Sequence, residues 1–305
     1  MKLCKGINIG DHFEVRRKPG EDFINPVGDY YFPIIKDLGF DHIRLPVRWS
    51  LYTRDEDDYQ IEAFFLDAVT HTVKSALDNG FTLILNVHHF IEMSEDALGN
   101  KEKLFAIWEQ LSFVYKDYPQ ELIFEVMNEP QTGVDSGLWN EIQNCCVEII
   151  RKTNPTRKIM IGGTFWNSCE GLVLLNPVPD ENLIATFHFY EPHSFTHQGA
   201  RWSPENYGFK DVQWLGTKEE RAYVTNVLTK AKNWAEEHHM PVNMGEFGAY
   251  STGDMASRAR WTEHVRKEAE RLGISFTYWE FCHGFGIYDK ATKTFRQELV
   301  QALLG

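Results

Sequence analysis

The chain has 305 residues, which is ample for one large domain. Its hydrophobic share of 43% and charged share of 25% are ordinary for a soluble globular protein. The formal net charge of −13 argues against nucleic-acid binding, which needs a basic surface, and apolar runs far shorter than the roughly 20 residues of a membrane span argue against membrane insertion.

The five cysteines predict neither a disulfide framework nor a zinc site, because their number is odd and their spacing irregular. We expect small buried side chains at Cys4, Cys145, Cys146, Cys169 and Cys282. The first apolar run begins near Lys5, so the sequence leaves two locations open, an intracellular protein or a secreted one whose leader has been removed. No pattern predicts an oligomer, and we expect a monomer.

Eight short apolar runs, rich in Val, Ile, Leu and Phe, recur along the chain. Most are apolar on both faces, as buried parallel strands are. The predicted strands are Gly6–Ile9, His42–Val47, Thr82–Val87, Leu122–Met127, Lys158–Gly162, Leu183–Phe189, Pro241–Gly245 and Ser275–Trp279.

Amphipathic segments with typical helix endings separate these runs. The predicted helices are Phe32–Leu38, Ile61–Asp78, Lys101–Lys116, Trp139–Lys152, Lys218–His238, Met255–Leu272 and Phe295–Leu304, and Ser168–Leu175 has the weakest helical pattern. Strands and helices that alternate in this way predict a single (β/α)8 barrel, the TIM-barrel fold, over residues 1–305. A doubly wound open sheet is the alternative, although the first turn, Asn8 to His12, has no glycine-rich phosphate-binding pattern.

The longest irregular connection runs from Glu191 to Thr217, after the sixth strand. A loop of this length in a compact domain is usually functional. It carries aromatic and imidazole side chains, and we expect it to form a wall of a binding cleft. These side chains are His193, His197, Trp202, Tyr207 and Trp214.

A barrel of this kind builds its active site at the carboxyl ends of its strands. Polar and aromatic residues do cluster where the predicted strands end: Asn8, Asp11 and His12 at the first; His88 and His89 at the third; Asn128 and Glu129 at the fourth; Trp166 after the fifth; His188 and Tyr190 at the sixth; Glu246 at the seventh; and Trp279 and Glu280 at the eighth. The second strand carries Arg44. The pattern therefore predicts one polar cleft at this face.

Two carboxylates, Glu129 and Glu246, end the fourth and seventh strands. Either one alone reads as a solvated loop residue. Strands on opposite sides of a barrel place their ends across a central cleft, and glycoside hydrolysis needs one protonated carboxyl and one carboxylate there. Retention of configuration needs the two groups about 5–5.5 Å apart and inversion about 6.5–9.5 Å.

An ordered set of motifs resembles glycoside hydrolase family 5 from the first strand to the last. It comprises Gly6–Gly10, His42–Trp49, Asn86–His89, Asn128–Pro130, His188–Tyr190, Gly245–Gly248 and Trp279–Glu280. Phe195–Ala200 and Tyr278–Cys282 resemble in particular the branch often called subfamily 25, which includes cellulases with side activity on mannan.

The resemblance implies a retaining double displacement without metal or cofactor. Glu129 is then the general acid/base and Glu246 the nucleophile, which requires a raised pKa for Glu129 and an ionised Glu246. Arg44 and Tyr190 would hold Glu246 charged, although Arg44 also fits a structural ion pair.

Further roles follow for the other residues at the strand ends. Asn128 would bind the sugar 2-hydroxyl, His188 would lie beside the acid/base, and Trp279 would form a stacking floor. His88 and His89 would line the cleft, but neighbours on a strand face opposite ways unless the strand breaks there. The remaining substrate contacts predicted are Asn8, Asp11, His197, Trp202 and Glu280.

Three alternatives remain on the sequence alone. A metal-dependent barrel hydrolase is one, although its His-x-His pair on the first strand is missing here. A non-catalytic carbohydrate-binding barrel is another, although both glutamates are present. A Cys282–His283 hydrolase is the third, but neighbours on a strand diverge and make a poor dyad.

We predict an endo-β-1,4-glucanase active on soluble or amorphous β-glucans, with β-mannan or glucomannan as a second substrate, and with endo-β-1,4-mannanase as the alternative main activity. Asp11 departs from many relatives, which have Asn at this position. A carboxylate there changes the hydrogen bonds offered to sugar or raises neighbouring pKa values. The choice between glucan and mannan therefore stays open.

Overall fold

Eight parallel strands close into a barrel in which each strand pairs with its neighbours in chain order and the first strand pairs with the last. The computed structural model describes residues 3–15, 26–55, 58–131 and 133–305. The strands are β1 Lys5–Asn8, β2 His42–Leu45, β3 Thr82–Asn86, β4 Leu122–Glu125, β5 Ile159–Gly162, β6 Leu183–Phe189, β7 Val242–Phe247 and β8 Ser275–Tyr278. The predicted barrel is confirmed, and the open-sheet alternative is wrong.

Helices follow the strands and cover the outside of the barrel. They are α1 Tyr31–Asp37, α2 Ala63–Asp78, α3 Ala97–Val114, α4 Ser136–Arg151, α5 Cys169–Leu172, α6 Lys218–Glu237, α7 Met255–Leu272 and α8 Gln297–Leu304. The weakly predicted segment after β5 forms only the single turn of α5, preceded by the short helix Thr164–Asn167.

Two helices begin earlier than predicted because an aspartate caps each of them. The Asp96 carboxylate accepts from Gly99 N ahead of α3, and Asp135 accepts from Leu138 N ahead of α4. A side-chain acceptor at this position satisfies an amide that the helix leaves free at its start. The apolar periodicity used for the prediction starts only one turn later.

The core has two parts. The larger part lies between the strands and the helices and contains six of the nine tryptophans, namely Trp49, Trp108, Trp139, Trp214, Trp234 and Trp261. Inside the barrel, Ile84, Ile123, Met160 and Ile184 from β3 to β6 form a small apolar cluster. Most of the tryptophan content therefore serves packing.

All five cysteines are free, and Cys146, Cys169 and Cys282 are buried as predicted. The prediction is wrong for Cys4 and Cys145, which are exposed. Within the described ranges, no helix combines the length and the apolar character needed to cross a membrane.

Candidate active site

Arg44, on β2, lies at the centre of a polar cluster in the upper part of the barrel and is fully buried. Its Nε and Nη2 donate to Glu125 at 2.7 and 2.8 Å. Nη1 donates to Asn8 at 2.9 Å and to Glu246 at 2.7 Å, and Nη2 also donates to Asn128 at 2.6 Å. These contacts use all five N–H groups of a guanidinium, so the position of Arg44 is fixed.

Glu246 is the penultimate residue of β7, and its carboxylate is held from two sides. Oε1 accepts from Arg44, and Oε2 accepts from the Tyr190 hydroxyl at 2.7 Å. Burial raises the pKa of Glu246, while His188, Arg44 and Tyr190 act in the opposite direction. Both predicted partners of Glu246 are therefore in contact with it, and each stabilises the ionised form.

Glu129 follows β4 and approaches Glu246 across the cleft. His188 Nδ1 lies 2.6 Å from Glu129 Oε1 and 3.6 Å from Glu246 Oε2. One oxygen of each glutamate and one nitrogen of His188 lie within 4.8 Å of one another. Burial raises the pKa of Glu129 to about 7, and burial lowers the pKa of His188 to about 4. The pair thus combines a carboxyl that is protonated in mildly acidic solution with a carboxylate supported by a cation.

Trp279 and the two neighbouring histidines form an aromatic surface beside this pair. The His88 ring stacks at 5.7 Å from the half-buried Trp279 ring, with an interplanar angle of 11°. The ring of His89 lies 4.4 Å from that of His88. The strand has ended by this point, and His89 has φ +49°, which allows both neighbours to lie on one side. The strand therefore does break before His88 and His89, as both side chains need if they are to line the cleft.

The two asparagines differ in what they offer a ligand. Asn128 Oδ1 accepts from Arg44, which turns the amide NH2 group away from the guanidinium. Asn8 is fully buried, and its Nδ2 donates to the carbonyl oxygens of Gly245 and Tyr278 at 3.1 and 3.2 Å. Asn8 thereby links β1 to β7 and β8. Its predicted contact with sugar stays a prediction, and its hydrogen bonds favour a supporting role.

Asp11 and Glu280 lie at the rim formed by β1 and β8. Asp11 Oδ2 pairs with His283 Nδ1 at 2.6 Å, which raises the pKa of His283. Glu280 is fully buried, and its carboxylate accepts from the backbone N–H groups of Cys282, His283 and Phe285. Glu280 therefore shapes the loop after β8, while its contact with sugar stays a prediction. His283 faces Asp11, so the geometry does not favour the Cys282–His283 dyad.

The long connection after β6 lies partly on the cleft, as predicted. The His197 ring contacts the Tyr190 ring at 4.9 Å, and the exposed Trp202 ring packs edge-on against Tyr250 at 4.8 Å. Trp214 is different, because its buried ring stacks on His264 of α7 at 5.7 Å. Trp214 therefore anchors the connection to the outer helices, and its assignment to the cleft wall was wrong.

Two buried carboxylates at the site were not predicted. Glu125 pairs with Arg44, and Glu14 accepts from the backbone N–H groups of Asp11 and His12. Glu125 lies inside the apolar run Leu122–Met127, where a lone charged residue in a strand buried on both faces was a usable signal. Glu14 lies in an irregular segment, where a carboxylate normally reads as solvated.

Among the residues that the structure describes, Glu129, His188 and Glu246 are also the group whose ligand atoms could converge on a metal ion. Both oxygens of Glu246 already accept from Arg44 and Tyr190. A guanidinium within 2.7 Å of a ligand oxygen disfavours a second cation at that oxygen. The cluster fits a pair of carboxylates working with protons better than it fits a metal centre.

Comparisons with known proteins agree with this geometry. Residues 11–284 match the family described as Cellulase (glycosyl hydrolase family 5). Endoglucanase H of Acetivibrio thermocellus is 34% identical to this chain over 309 residues. The match covers 99% of this chain and 33% of that protein, so the chain spans about a third of the length of that relative. A solved hyperthermophilic endo-β-1,4-glucanase in complex with substrate is 41% identical, with a TM-score of 0.94, over 99% of this chain and 97% of that chain.

Cel5A of Thermotoga maritima, solved in complex with mannotriose, is 36% identical, also with a TM-score of 0.94, over 99% of this chain and 97% of that chain. The family match covers residues 11–284, and each of the two structural matches covers 99% of this chain. The chain therefore belongs to glycosyl hydrolase family 5.

Proposed function

We propose that the protein is a retaining endo-β-1,4-glucanase that cleaves soluble or amorphous β-glucans by double displacement. The observation that carries this proposal is the approach of Glu129 and Glu246, with oxygens within 4.8 Å of each other. An approach of two oxygens to within 4.8 Å supports the carboxyl separation of about 5–5.5 Å that retaining enzymes use.

In the first step, Glu246 attacks the anomeric carbon and a glycosyl-enzyme ester forms. The bond to the leaving oxygen breaks with its electron pair, and that oxygen takes the proton of Glu129. In the second step, Glu129 takes a proton from water, the oxygen of which attacks the same carbon and releases Glu246. The raised pKa of Glu129, about 7, suits a group that must first give and then accept a proton.

The neighbours of the pair support these roles. Arg44 and Tyr190 keep Glu246 ionised and aimed, and His188 holds Glu129 at 2.6 Å. Asn128 is oriented to donate to a sugar 2-hydroxyl, a contact that strengthens in the transition state. Trp279 with His88 gives a flat surface for the apolar face of a pyranose.

Glucan is the substrate that we favour, because the relatives described above are an endoglucanase and an endo-β-1,4-glucanase. The mannotriose bound to the Thermotoga maritima structure favours β-mannan as a second substrate. We place the chain in the branch often called subfamily 25 on the segments Phe195–Ala200 and Tyr278–Cys282. Hydrolysis rates on carboxymethylcellulose, barley glucan, lichenan, glucomannan and galactomannan rank the two substrate classes.

The roles of the two glutamates can be separated by the leaving group. We expect Glu246→Gln to lose about 10³-fold or more in kcat on both β-glucan and an aryl cellobioside with an acidic phenol. Glu129→Gln should lose a similar factor in kcat on β-glucan but much less in kcat/KM on the aryl substrate, because an acidic phenol departs without a proton in the first step. Its kcat on the aryl substrate still falls, since the second step needs Glu129 to activate water. Glu109→Gln, on the exposed side of α3, is the matched control and should leave both rates unchanged.

A near wild-type rate for Glu246→Gln on either substrate would overturn the assignment of the nucleophile. The metal alternative has its own test, which is dialysis against a chelator. Activity that disappears and returns with zinc would replace the carboxylate mechanism.

A further inference from the structure

A third carboxylate lies at the site and has no part in the steps above. Glu125 is the last residue of β4, four residues before Glu129, and is fully buried inside the barrel. Its two oxygens accept from Nε and Nη2 of Arg44 at 2.7 and 2.8 Å, which is the paired, two-point geometry of a guanidinium and a carboxylate. Glu125 therefore binds the Nε–Nη2 edge of the guanidinium, whereas Glu246 binds Nη1.

These two hydrogen bonds fix the orientation of the Arg44 guanidinium. A guanidinium is planar, so two parallel bonds on one edge fix the direction of its remaining N–H groups. Those remaining groups reach Glu246, Asn8 and Asn128. The orientation of the nucleophile and of the amide aimed at the sugar therefore depends on Glu125.

The charge of Glu125 matters as much as its shape. One positive charge on Arg44 serves two carboxylates, those of Glu125 and Glu246. The negative charge of Glu125 adds to burial in raising the pKa of Glu129, and it opposes the lowering of the His188 pKa by burial. Among the described residues, Arg44 from β2 pairs with Glu125, and Glu129 and, from β6, His188 are affected by its charge. Without Glu125, Arg44 would act on Glu246 and Glu129 alone and favour the ionised form of both.

We propose that Glu125 is a positioning residue of the reaction, which holds Arg44 in its catalytic orientation and balances its charge so that Glu129 stays protonated while Glu246 stays reactive. The inference rests on the proposed function of the two glutamates. Because Glu125 does not reach the cleft, its replacement should change kcat and the pH profile of kcat/KM, whereas substrate affinity should change little.

The test uses Glu125→Gln, which keeps the size of the side chain and removes its charge. We expect kcat on β-glucan to fall about ten- to hundredfold, with KM within about twofold of wild type. The alkaline limb of the kcat/KM profile should move to lower pH, because Glu129 loses a negative neighbour that raises its pKa. Asp180→Asn removes a carboxylate from an arginine pair outside the site, with Arg151 at 2.6 Å, and should change neither quantity.

Glu125→Asp completes the test, because it keeps the charge and withdraws the carboxylate by one methylene group. It should lower kcat about tenfold or more and leave the alkaline limb in place. A Glu125→Gln enzyme with the wild-type alkaline limb would overturn the charge balance. If that variant does not fold, Glu125→Asp decides alone, and a wild-type kcat for it overturns the positioning role.

Failure of this inference is distinguishable from failure of the proposed function. Glu246→Gln and Glu129→Gln test the mechanism without reference to Glu125. If those variants lose activity as expected while both Glu125 variants behave as wild type, only the role of Glu125 is wrong.

Discussion

Arg44 and Arg157 are both fully buried, and both use all five N–H groups, yet their partners differ. Arg44 donates to two carboxylates and two side-chain amides at the catalytic face. Arg157 donates to the Asn154 side chain and to the carbonyl oxygens of Tyr115, Tyr118, Pro119 and Leu122. These oxygens belong to the connection between α3 and β4.

The two environments shift the pKa of each arginine in opposite directions. The carboxylates of Glu125 and Glu246 outweigh burial and raise the pKa of Arg44, whereas burial lowers the pKa of Arg157 to about 10. Neutral carbonyls satisfy hydrogen bonds without compensating the charge. Arg157, which is surrounded by carbonyl oxygens, therefore stabilises the conformation of a loop. Arg44, which is surrounded by carboxylates, influences the ionisation of its neighbours.

The largest effect that follows is on the activity of Arg44→Lys. An ammonium group cannot grip Glu125 at two points while it also reaches Glu246 and the two asparagines. We expect kcat on β-glucan to fall about 10²- to 10³-fold. Initial rates at saturating substrate, combined with thermal unfolding, measure activity and stability together.

Arg157→Lys is the matched control for that substitution. It should lower the free energy of unfolding by about 2–4 kcal/mol, because buried carbonyls lose their donors, and should leave kcat within about twofold. A large loss of kcat in Arg157→Lys, or none in Arg44→Lys, would remove the distinction between the two arginines.

The pH dependence is the next effect in size. Glu129 must be protonated for the first step, so kcat/KM should fall about tenfold per pH unit once the pH exceeds its raised pKa of about 7. Glu246 must be ionised, and burial raises its pKa, so the acidic limb should lie above the usual range of a glutamate. Glu129→Gln acting on an aryl cellobioside should lack the alkaline limb. An unchanged kcat/KM up to pH 9 would contradict the assignment of the acid.

The smallest effect concerns the ion pair of Asp11 and His283, which lies at the solvent-exposed rim. Exposed pairs contribute about 0–1 kcal/mol, so Asp11→Asn should change KM no more than about fivefold and leave kcat close to wild type. The effect of Asp11→Asn is measured by comparing its KM with that of wild type on glucan and mannan oligosaccharides. A change in kcat as large as that of Arg44→Lys would show that charge at the rim matters as much as charge inside the barrel.

The sequence predicted the features that depend on local pattern. The eight apolar runs located the barrel strands to within a residue or two, and the polar residues in or near their ends located Arg44, Glu129, Tyr190 and Glu246 at one face. It did not predict Glu125, because a residue inside an apolar run shows its partner only after the barrel closes. The same holds for Glu280, which follows β8 as a cleft residue would but binds backbone amides of the next loop. Contacts between distant segments decide these roles, and no spacing encodes them.

The fully used guanidinium of Arg44 has a consequence for altering this protein. The acceptors are Asn8 on β1, Glu125 on β4, Asn128 just beyond β4, and Glu246 on β7. Loss of any one of these acceptors leaves an N–H group of Arg44 without a hydrogen bond. A single replacement among these residues therefore also disturbs the contacts of the others. The side chains of Trp202, Asp11 and His283 are not among the described hydrogen-bond partners of Arg44 and can vary one at a time. Changes of glycan preference should therefore be sought at the rim, with the interior network left intact.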